Sequence, residues 1–358
     1  MDIRSKLNLA LDRAGYPQPG GDAGFRQLGM GAWHDAYRVQ PPGSSPLVIR
    51  LRKPVIYGRT EEWDPDGLHE DYAPVGLYYQ EANRVRPGIC PAEYSYRIDP
   101  DLVFTIESYL PGSPLPLQSL TPGTAVQLGE DIGKFFRALH DRPAPIHGHG
   151  LLVWGGGEIT AEFQTPPAEI WNGRYSRAWD QLAQLEASIP NIDFPALMEK
   201  LEQVVISRKH AAAPVSLVNQ DITPENLLQQ QALWVGLVDP VPALDNGTYY
   251  AAWFTHCYRL FLPSLNDAPR YARHQFGTHQ EALRCIADGF EAGYTQNGPQ
   301  AIRDLRMDEY LWALDLAAEC LALLSDGLNG EMRLRRGSKE DVNAALEAAI
   351  RTLELCSW

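Results

Sequence analysis

The sequence of 358 residues is poor in cysteine and contains no long apolar run. Its five cysteines are odd in number, scattered and form no C-x-x-C pair, so they indicate neither a disulfide framework nor a zinc ribbon. No segment approaches the roughly 18 uninterrupted apolar residues of a membrane-spanning helix, and the mean hydropathy is −0.29. We therefore expect a protein of the reducing cytoplasm that does not span a membrane.

Basic residues are also scarce. The chain has 31 Lys and Arg against 45 Asp and Glu, a net charge of −14. A protein that holds nucleic acid through phosphates is usually basic, so the charge argues against DNA or RNA as the main ligand. A cationic small molecule would be attracted by this charge, whereas an anionic one would need a local basic pocket.

The first hundred residues have the pattern of a small antiparallel sheet. Short apolar segments at residues 36–39 and 47–51 are separated by turn-forming residues, and a second pair follows at residues 94–98 and 102–109. Such spacing predicts two hairpins. A helical pattern at residues 77–85 lies between them, which together predicts a small α+β unit.

The period of the apolar residues changes to 3.6 after the Pro- and Gly-containing break at residues 110–114. Helices are predicted from Thr121-Pro122 onward, over residues 194–210 and over residues 307–328. A β-like stretch at residues 215–239 interrupts this helical part. The sequence therefore predicts a small β-rich lobe followed by a large, mainly helical lobe.

The β-like stretch carries the residues with the clearest chemical pattern. A short apolar strand leads into a polar loop with Asp221 and Asn226, a hairpin follows, and Asp239 stands at its end. The order D-x-x-x-x-N, hairpin, D is used by kinases, in which the first carboxylate accepts the hydroxyl proton and the other two side chains bind Mg²⁺. Oxygen ligands of this kind suit Mg²⁺.

Residues 218–226, Val-Asn-Gln-Asp-Ile-Thr-Pro-Glu-Asn, resemble the catalytic loop H-G-D-[LI]-x-P-x-N of the aminoglycoside phosphotransferase and choline kinase superfamily. Residues 236–239, Gly-Leu-Val-Asp, resemble the metal-binding strand of that family. Further segments resemble, in the family's order, its glycine loop and second strand, its third strand, its helix glutamate, its hinge and its Leu-His helix end: residues 28–39, 47–51, 79–82, 106–112 and 137–140.

This resemblance implies an α+β, bilobal, protein-kinase-like fold, with a nucleotide-binding lobe over residues 1–109 and a catalytic and substrate-binding lobe over residues 110–358. It also implies ATP-dependent transfer of a γ-phosphoryl group to a hydroxyl of an amino-bearing or sugar-like small molecule. Asp221 would be the catalytic base, and Asn226 and Asp239 would bind Mg²⁺. The nucleotide contacts that it implies come from Gly29, Gly31, Arg50, Glu81, Glu107, Ser108 and Tyr109.

Within this set, the glycines and Arg50 would hold the phosphates, Arg50 would pair with Glu81, and adenine would lie against backbone groups near residues 107–109. The pairing with Glu81 depends on a loose alignment, because residues 52–76 form a long insertion before it. That insertion is either a lid over the cleft or a surface loop. Arg50 could also be an ordinary surface residue of its strand.

The loop departs from the family pattern at two positions, and at the second of them Gln220 stands where the family has glycine. Asn219 stands where the family has histidine, although its amide keeps a hydrogen-bond donor and an acceptor. A nucleotide-binding pseudokinase with a regulatory or interaction role is therefore the second hypothesis. The presence of Asp221, Asn226 and Asp239 argues against it, although each of these has a purely structural interpretation as a turn, loop or strand-end residue.

The acceptor side is less clearly marked. Four carboxylates share one flank of the predicted helix 307–328 and could attract an amino-bearing acceptor, but a solvated helix face explains them at least as well: Asp308, Asp315, Glu319 and Asp326. Residues 147–149, His-Gly-His, lack the partners that would complete a metal site, and residues 155–157 are three glycines. Both segments are predicted to be solvated loops.

Overall fold

The computed structural model describes residues 1–21, 24–190, 192–209, 214–265 and 267–358. The N-terminal lobe contains β1 (Phe25–Met30), β2 (His34–Val39), β3 (Leu47–Arg52), β4 (Val55–Ile56), β5 (Arg59–Thr60), β6 (Tyr94–Asp99) and β7 (Leu102–Ser108), with helices α1 (Ile3–Arg13) and α2 (Pro65–Val85). The C-terminal lobe contains strands β8 (Ser113–Pro114), β9 (His149–Gly155), β10 (Glu158–Phe163), β11 (Val215–Asn219), β12 (Leu227–Gln230), β13 (Leu233–Leu237) and β14 (Pro242–Asn246). Its helices are α3 (Pro122–His140), α4 (Pro167–Ser188), α5 (Phe194–Lys209), α6 (Gly247–His256), α7 (Leu262–Ser264), α8 (Gln280–Thr295), α9 (Pro299–Asp326), α10 (Gly330–Arg336) and α11 (Lys339–Leu355).

The N-terminal lobe is built on a five-stranded antiparallel sheet in the order β1-β2-β3-β7-β6. Alternate residues of β3 and β7, such as Ile49 and Phe104, are buried against Leu7 and Leu11 of α1. Because successive side chains of a strand point to opposite faces, the residues between them face away from α1. One of these is Arg50, so the sheet presents a charged side chain on its other face. The four predicted strands are confirmed as β2, β3, β6 and β7.

Helix α2 is longer than the sequence predicted. It begins at Pro65, where the Asp64 side chain caps it by accepting a hydrogen bond from Gly67 N, and Pro74 lies inside it. Proline in a helix interior removes a backbone hydrogen bond, but the buried side chains of Leu68 and Tyr72 hold the first turns in place. The predicted start at residue 77 is therefore wrong, and much of the presumed insertion is helix.

The C-terminal lobe depends on a close contact between α3 and α8. A Cβ atom at Gly129 would lie 2.0 Å from Ile286 O, and one at Gly289 would lie 2.0 Å from Val126 O. The glycines therefore allow the two backbones to approach more closely than any larger residue would. Around this contact lies the main buried core, while a second core surrounds α9.

The structure contains a hairpin that the sequence analysis missed. Strands β9 and β10 pair antiparallel, with Gly155 opposite Glu158, and β9 pairs with β14 in a four-stranded sheet. Residues 155–157 thus close a tight turn. His149, predicted to lie in a solvated loop, is buried, and its Nε2 lies 2.8 Å from Thr165 O.

The predicted strands within residues 215–239 are confirmed as β11, β12 and β13. Helix α9 begins eight residues earlier than predicted, since Met307 follows Pro299 by that distance. Helix α5 matches its prediction to Lys209, and residue 210 lies outside the described residues. The pairing of β8 with β12 supports a lobe division between residues 109 and 110, which stays a prediction. No helix within the described ranges is long and apolar enough to cross a membrane.

Candidate active site

A cleft of about 790 Å³ lies between the two lobes. Asp221, Asn226 and Asp239 all line it, together with Arg50 and the β1–β2 loop around Gly29. The residues that the sequence analysis predicted to share one site are therefore brought together, even though they come from both lobes.

The loop that carries Asp221 is held by Asn219 at the end of β11. Oδ1 of Asn219 accepts hydrogen bonds from Asp221 N at 3.1 Å and Val241 N at 2.9 Å, and its Nδ2 donates to Asp221 O at 3.1 Å. The side chain is 2% exposed. A buried amide that uses both its donor and its acceptor fixes the loop at two points. Asn219 thus supports the loop, at the position where the resembling motif has histidine.

The β12–β13 hairpin brings Asp239 close to Asn226. Val238 N donates to Asn226 O at 3.0 Å, and Asn226 N donates to Thr223 O at 3.0 Å. Asp239 has φ +55°, a left-handed conformation that is uncommon for residues other than glycine. Because the hydrogen bond from Val238 to Asn226 links the hairpin's end to the loop, the two predicted metal ligands occupy one wall of the cleft.

The electrostatic environment makes Asp221 an unusually strong base for a carboxylate. Burial, and after it the nearby Asp239 carboxylate, raise the pKa of Asp221 from 3.8 to about 6, although hydrogen bonds with Thr223 and Asn226 act in the opposite direction. A carboxyl group with this pKa is still largely ionised at pH 7, yet accepts a proton more readily than an exposed aspartate. The position and pKa suit proton acceptance.

Arg50 on β3 is paired with Glu107 of β7. Its Nε and Nη2 donate to Glu107 Oε1 at 3.2 and 3.0 Å, and its Nη1 lies 3.5 Å from Asp239 Oδ2. Burial alone would lower the pKa of Arg50, but the Asp239 and Glu107 carboxylates raise it above its ordinary value. Arg50 is therefore a permanent cation on the cleft wall.

The predicted partner of Arg50, Glu81, points elsewhere. Its carboxylate pairs with Arg84 and, at 3.5 Å, with Arg142, and it does not line the cleft. On α2 the cleft-lining residues Tyr72 and Tyr79 lie seven positions apart and share one face, whereas Glu81 lies about 160° away from Tyr79. The structure does not bring Glu81 to Arg50, and Glu107 takes its place.

The remaining predicted nucleotide contacts do line the cleft. Gly31 N donates to His34 O at 2.8 Å, which closes the β1–β2 turn, and Lys53 Nζ donates to Gly31 O at 2.7 Å. At the other end of the cleft, Ser108 ends β7 and Tyr109 follows it. Their backbone N–H groups donate to carbonyl oxygens of the protein, at 3.0 Å in both cases. The two residues can therefore contact the base of a nucleotide through their backbone carbonyl groups, which accept hydrogen bonds.

The sequence analysis missed Tyr79. Its Oη donates to Glu107 Oε2 at 3.0 Å and accepts from Asp239 N at 3.1 Å. The signal that could have found it is the helical period, because Tyr72, Val75 and Tyr79 recur at spacings of three and four on the cleft face. His34 was also missed: its Nε2 lies 2.8 Å from Tyr72 Oη, and burial lowers its pKa to about 4.

The four carboxylates of α9 do not face the cleft. Asp308 is 2% exposed and pairs with Arg208 at 2.8 Å, so it lies neither at an acceptor site nor on a solvated face. The others are distributed along the same helix: Asp315 accepts from Gln181, Glu319 pairs with Arg336, and Asp326 is exposed. The cleft itself is lined by charged residues of both signs: Arg52, Asp71, Glu225, Arg270 and Arg273.

A small antiparallel sheet, a mainly helical lobe and a cleft between them with a D-x-x-x-x-N loop define a bilobal kinase-like fold. Solved structures of an aminoglycoside phosphotransferase, APH(4)-Ia, share this fold. The apo form of a thermostable mutant is 14% identical and aligns over 97% of this chain and 98% of that one, with TM-score 0.54. Another mutant of that enzyme, in ternary complex with ADP and hygromycin B, is 13% identical and aligns over 97% of this chain and 99% of that one, with TM-score 0.55. A choline/ethanolamine kinase family protein from Mesorhizobium loti aligns with TM-score 0.49 at 13% identity over 98% of both chains.

The likeness to the two phosphotransferase structures extends over nearly the whole of each chain, and at these identities it establishes the fold. The family resemblance read from the motifs is confirmed at that level. No protein-family model matches the sequence, and no curated protein is similar to it in sequence.

Proposed function

We propose that this chain is an ATP-dependent O-phosphotransferase that transfers the γ-phosphoryl group of ATP to a hydroxyl of an amino-bearing or sugar-like small molecule. The observation that carries the proposal is the convergence of Asp221, Asn226 and Asp239 on one cleft that also contains Arg50. The ADP and hygromycin B bound to the similar structure support a nucleotide and a small-molecule acceptor in that cleft.

Asp221 takes the role of catalytic base. As the acceptor oxygen forms its bond to the γ-phosphorus and the bond from that phosphorus to the ADP oxygen breaks, the hydroxyl proton passes to the Asp221 carboxylate. Its raised pKa brings the base closer to the operating pH. The rest of catalysis is positioning and charge stabilisation, since phosphoryl transfer requires little covalent chemistry from the protein.

Asn226 and Asp239 are proposed as ligands of Mg²⁺. An amide oxygen and a half-exposed carboxylate suit this hard ion, which keeps several waters and takes the rest of its ligands from phosphates. The bound ion supplies neutralisation of phosphate charge. The chain's own contribution is the hydrogen bond between Val238 and Asn226, which fixes the spacing of the two ligands.

The other contacts follow from the lining of the cleft. Gly29 and Gly31 permit close approach of the β1–β2 backbone to phosphates, and Arg50 supplies a cation beside them. Adenine is placed next to Ser108 and Tyr109, where carbonyl groups can accept from its amino group. The mixed charges beside Asp221 can accommodate an acceptor that carries both amino and hydroxyl groups.

The test is ATP-dependent phosphorylation of a panel of hydroxyl-bearing antibiotics, sugars and amino alcohols. With an accepted substrate, Asp221→Ala should lower kcat by roughly 10²- to 10⁴-fold, the range for loss of a general base, and Asp239→Ala should also abolish most turnover. Asp180→Ala, which changes an exposed residue of α4, is the control. Wild-type rates in either cleft variant, with the fold intact, would contradict the assigned roles.

One further outcome distinguishes the pseudokinase hypothesis. Mg²⁺-dependent thermal stabilisation by ATP, without phosphorylation of any acceptor in the panel, would indicate a nucleotide-binding protein that has no transferase activity. The hydrogen bonds of Asn219 oppose that outcome, because the loop that carries the base is firmly held.

A further inference from the structure

Four residues from four separate elements form a closed circuit of contacts on the cleft wall. Asp239 N donates to Tyr79 Oη, and that hydroxyl donates to Glu107 Oε2. Glu107 Oε1 accepts from Arg50, whose Nη1 faces the Asp239 carboxylate. The circuit therefore links the phosphate-side arginine of β3 to the metal-side aspartate beyond β13.

The register of the sheet explains why Glu107 can reach Arg50. In the antiparallel pair of β3 and β7, Arg50 stands opposite Thr105, and Val48 stands opposite Glu107. Arg50 and Glu107 are thus diagonal neighbours on the cleft face, a separation that long side chains span. No side chain of α2 other than Tyr79 is needed to complete the pairing.

Glu107 provides a second carboxylate for the positive charge of Arg50 in the cleft. Arg50 is only 15% exposed and lies 3.5 Å from the Asp239 carboxylate. Without a second anion, Arg50 would be drawn to Asp239 and would compete for the oxygens that are meant for the metal. Glu107, 2% exposed, occupies the Nε and Nη2 edge of the guanidinium, so that the Nη1 edge stays at the cleft.

Tyr79 couples this pair to the backbone of Asp239. The residue is 2% exposed, and its hydroxyl satisfies both the second oxygen of Glu107 and the N–H of a residue in the left-handed conformation. A buried hydroxyl that donates once and accepts once is fully used. Tyr79 therefore has no free donor for a ligand and acts through its neighbours.

We propose that Glu107 and Tyr79 are positioning residues for nucleotide binding: Glu107, from strand β7, is the internal carboxylate partner of Arg50 in place of the helix glutamate Glu81, and Tyr79 ties that pair to Asp239. This inference rests on the proposed nucleotide site. It identifies which glutamate sets the direction of Arg50 and assigns a function to a tyrosine that has no place in the motif pattern.

The experiment is calorimetric titration of ADP and of adenosine against Glu107→Gln. Because the variant keeps the shape of the side chain and removes its charge, ADP should bind roughly 10- to 100-fold more weakly, the loss expected when one strong charge-assisted contact is displaced. Adenosine, which has no phosphates for Arg50 to hold, should bind as to the wild type. A purely structural defect would weaken both ligands together.

Two variants serve as comparisons. Glu81→Gln tests the rival assignment and should change ADP affinity less than twofold. Glu309→Gln removes another buried glutamate that pairs with an arginine, Arg259 at 2.8 Å in the other lobe, and controls for loss of stability. Equal ADP affinity of the wild type and Glu107→Gln, or a larger loss in Glu81→Gln, would overturn the inference.

A double-mutant cycle shows whether Glu107 acts through Arg50. In an Arg50→Met background, Glu107→Gln should weaken ADP no further, because there is no guanidinium left to position. Additive losses would overturn the assignment. Tyr79→Phe should weaken ADP more in the presence of Mg²⁺ than in its absence, since it releases the Asp239 backbone, whereas Tyr96→Phe, which removes a hydroxyl outside the cleft, should have no effect on either affinity.

The titrations distinguish a failure of the proposed function from a failure of this inference. If the wild-type chain bound neither ADP nor adenosine, the nucleotide site itself would be wrong, and the positioning roles would be rejected with it. If the wild type bound ADP and the variants bound it equally well, only the roles of Glu107 and Tyr79 would be wrong.

Discussion

Replacing Asp221 by asparagine should remove activity and make the protein more stable. The proton is held more tightly in the folded chain, because burial and the Asp239 charge raise the pKa of Asp221 from 3.8 to about 6. Two pKa units correspond to about 3 kcal/mol, and solvent screening of this half-buried group reduces the gain to about 1–3 kcal/mol. With an entropy of unfolding of about 2.1 cal/mol/K per residue, Tm should rise by about 1–4 °C.

The pH dependence of this gain follows from the direction of the shift. Between about pH 4 and pH 6 the unfolded wild type binds fewer protons than the folded form, so its free energy of unfolding falls as the pH rises. Asp221→Asn has no such titration. The gain should therefore be absent below about pH 4 and complete above about pH 6.

Calorimetric unfolding of both proteins without nucleotide, from pH 4 to 8, measures the effect, with Asp180→Asn as an exposed control. A variant that is less stable than the wild type at pH 7.5 would refute the reasoning, because it would mean that the Asp221 carboxylate stabilises the empty cleft. A gain that is independent of pH would also refute it, since the cause would then not be the raised pKa.

Three further substitutions test the structure that supports the cleft. Arg208→Ala should lower the free energy of unfolding, measured in urea, by about 3–5 kcal/mol, because it leaves the buried Asp308 charge without its partner. The double variant Arg208→Met with Asp308→Leu should recover most of this loss. A single variant as stable as the wild type would contradict the pairing. Gly129→Ala should lower the free energy of unfolding by about 1–3 kcal/mol or more, because its Cβ would lie 2.0 Å from a carbonyl oxygen of α8. The control is Gly123→Ala in the same helix, where the space around the glycine is open; it should be neutral or stabilise the protein by up to about 1 kcal/mol. Equal effects of the two substitutions on Tm would show that the close helix contact is wrong. Asn219→Ala should lower the free energy of unfolding by about 1–3 kcal/mol, because it leaves buried backbone N–H groups without an acceptor. An unchanged midpoint in a urea titration would contradict the inference that Asn219 holds the loop.

The sequence was most informative where the structure is local. The D-x-x-x-x-N loop, the β12–β13 hairpin and Asp239 follow one another directly within residues 221–239, so their spacing largely determines how they meet. Four of the five strands of the N-terminal sheet were predicted, because short apolar segments between turn-forming residues mark them. Strand β1 was missed, since five of its six residues are exposed and give no such signal.

Helix α2 and the β9–β10 hairpin show where local patterns mislead. The length of residues 52–76 suggested an insertion, but tertiary burial of Leu68 and Tyr72 outweighs the weak local preference for helix. In the hairpin, glycines 155–157 indicated a loop, whereas the pairing of β9 with β10 and with β14 shows that the flanking residues are strands.

The choice between Glu81 and Glu107 required long-range information. Which residue faces Arg50 depends on the register of β3 against β7, separated by 57 residues in the case of Arg50 and Glu107, and sequence patterning does not determine register between such distant strands. The acids of α9 posed the same problem, because the partners of Asp308 and Asp315 come from other helices.

The most direct test of the shared metal and phosphate site is the anomalous signal of Mn²⁺ in crystals grown with AMP-PNP. The account predicts a peak within coordination distance of the Asn226 Oδ1 and Asp239 carboxylate oxygens, with the γ-phosphate facing Asp221. A peak that contacts neither ligand, or a nucleotide bound outside the cleft, would contradict it.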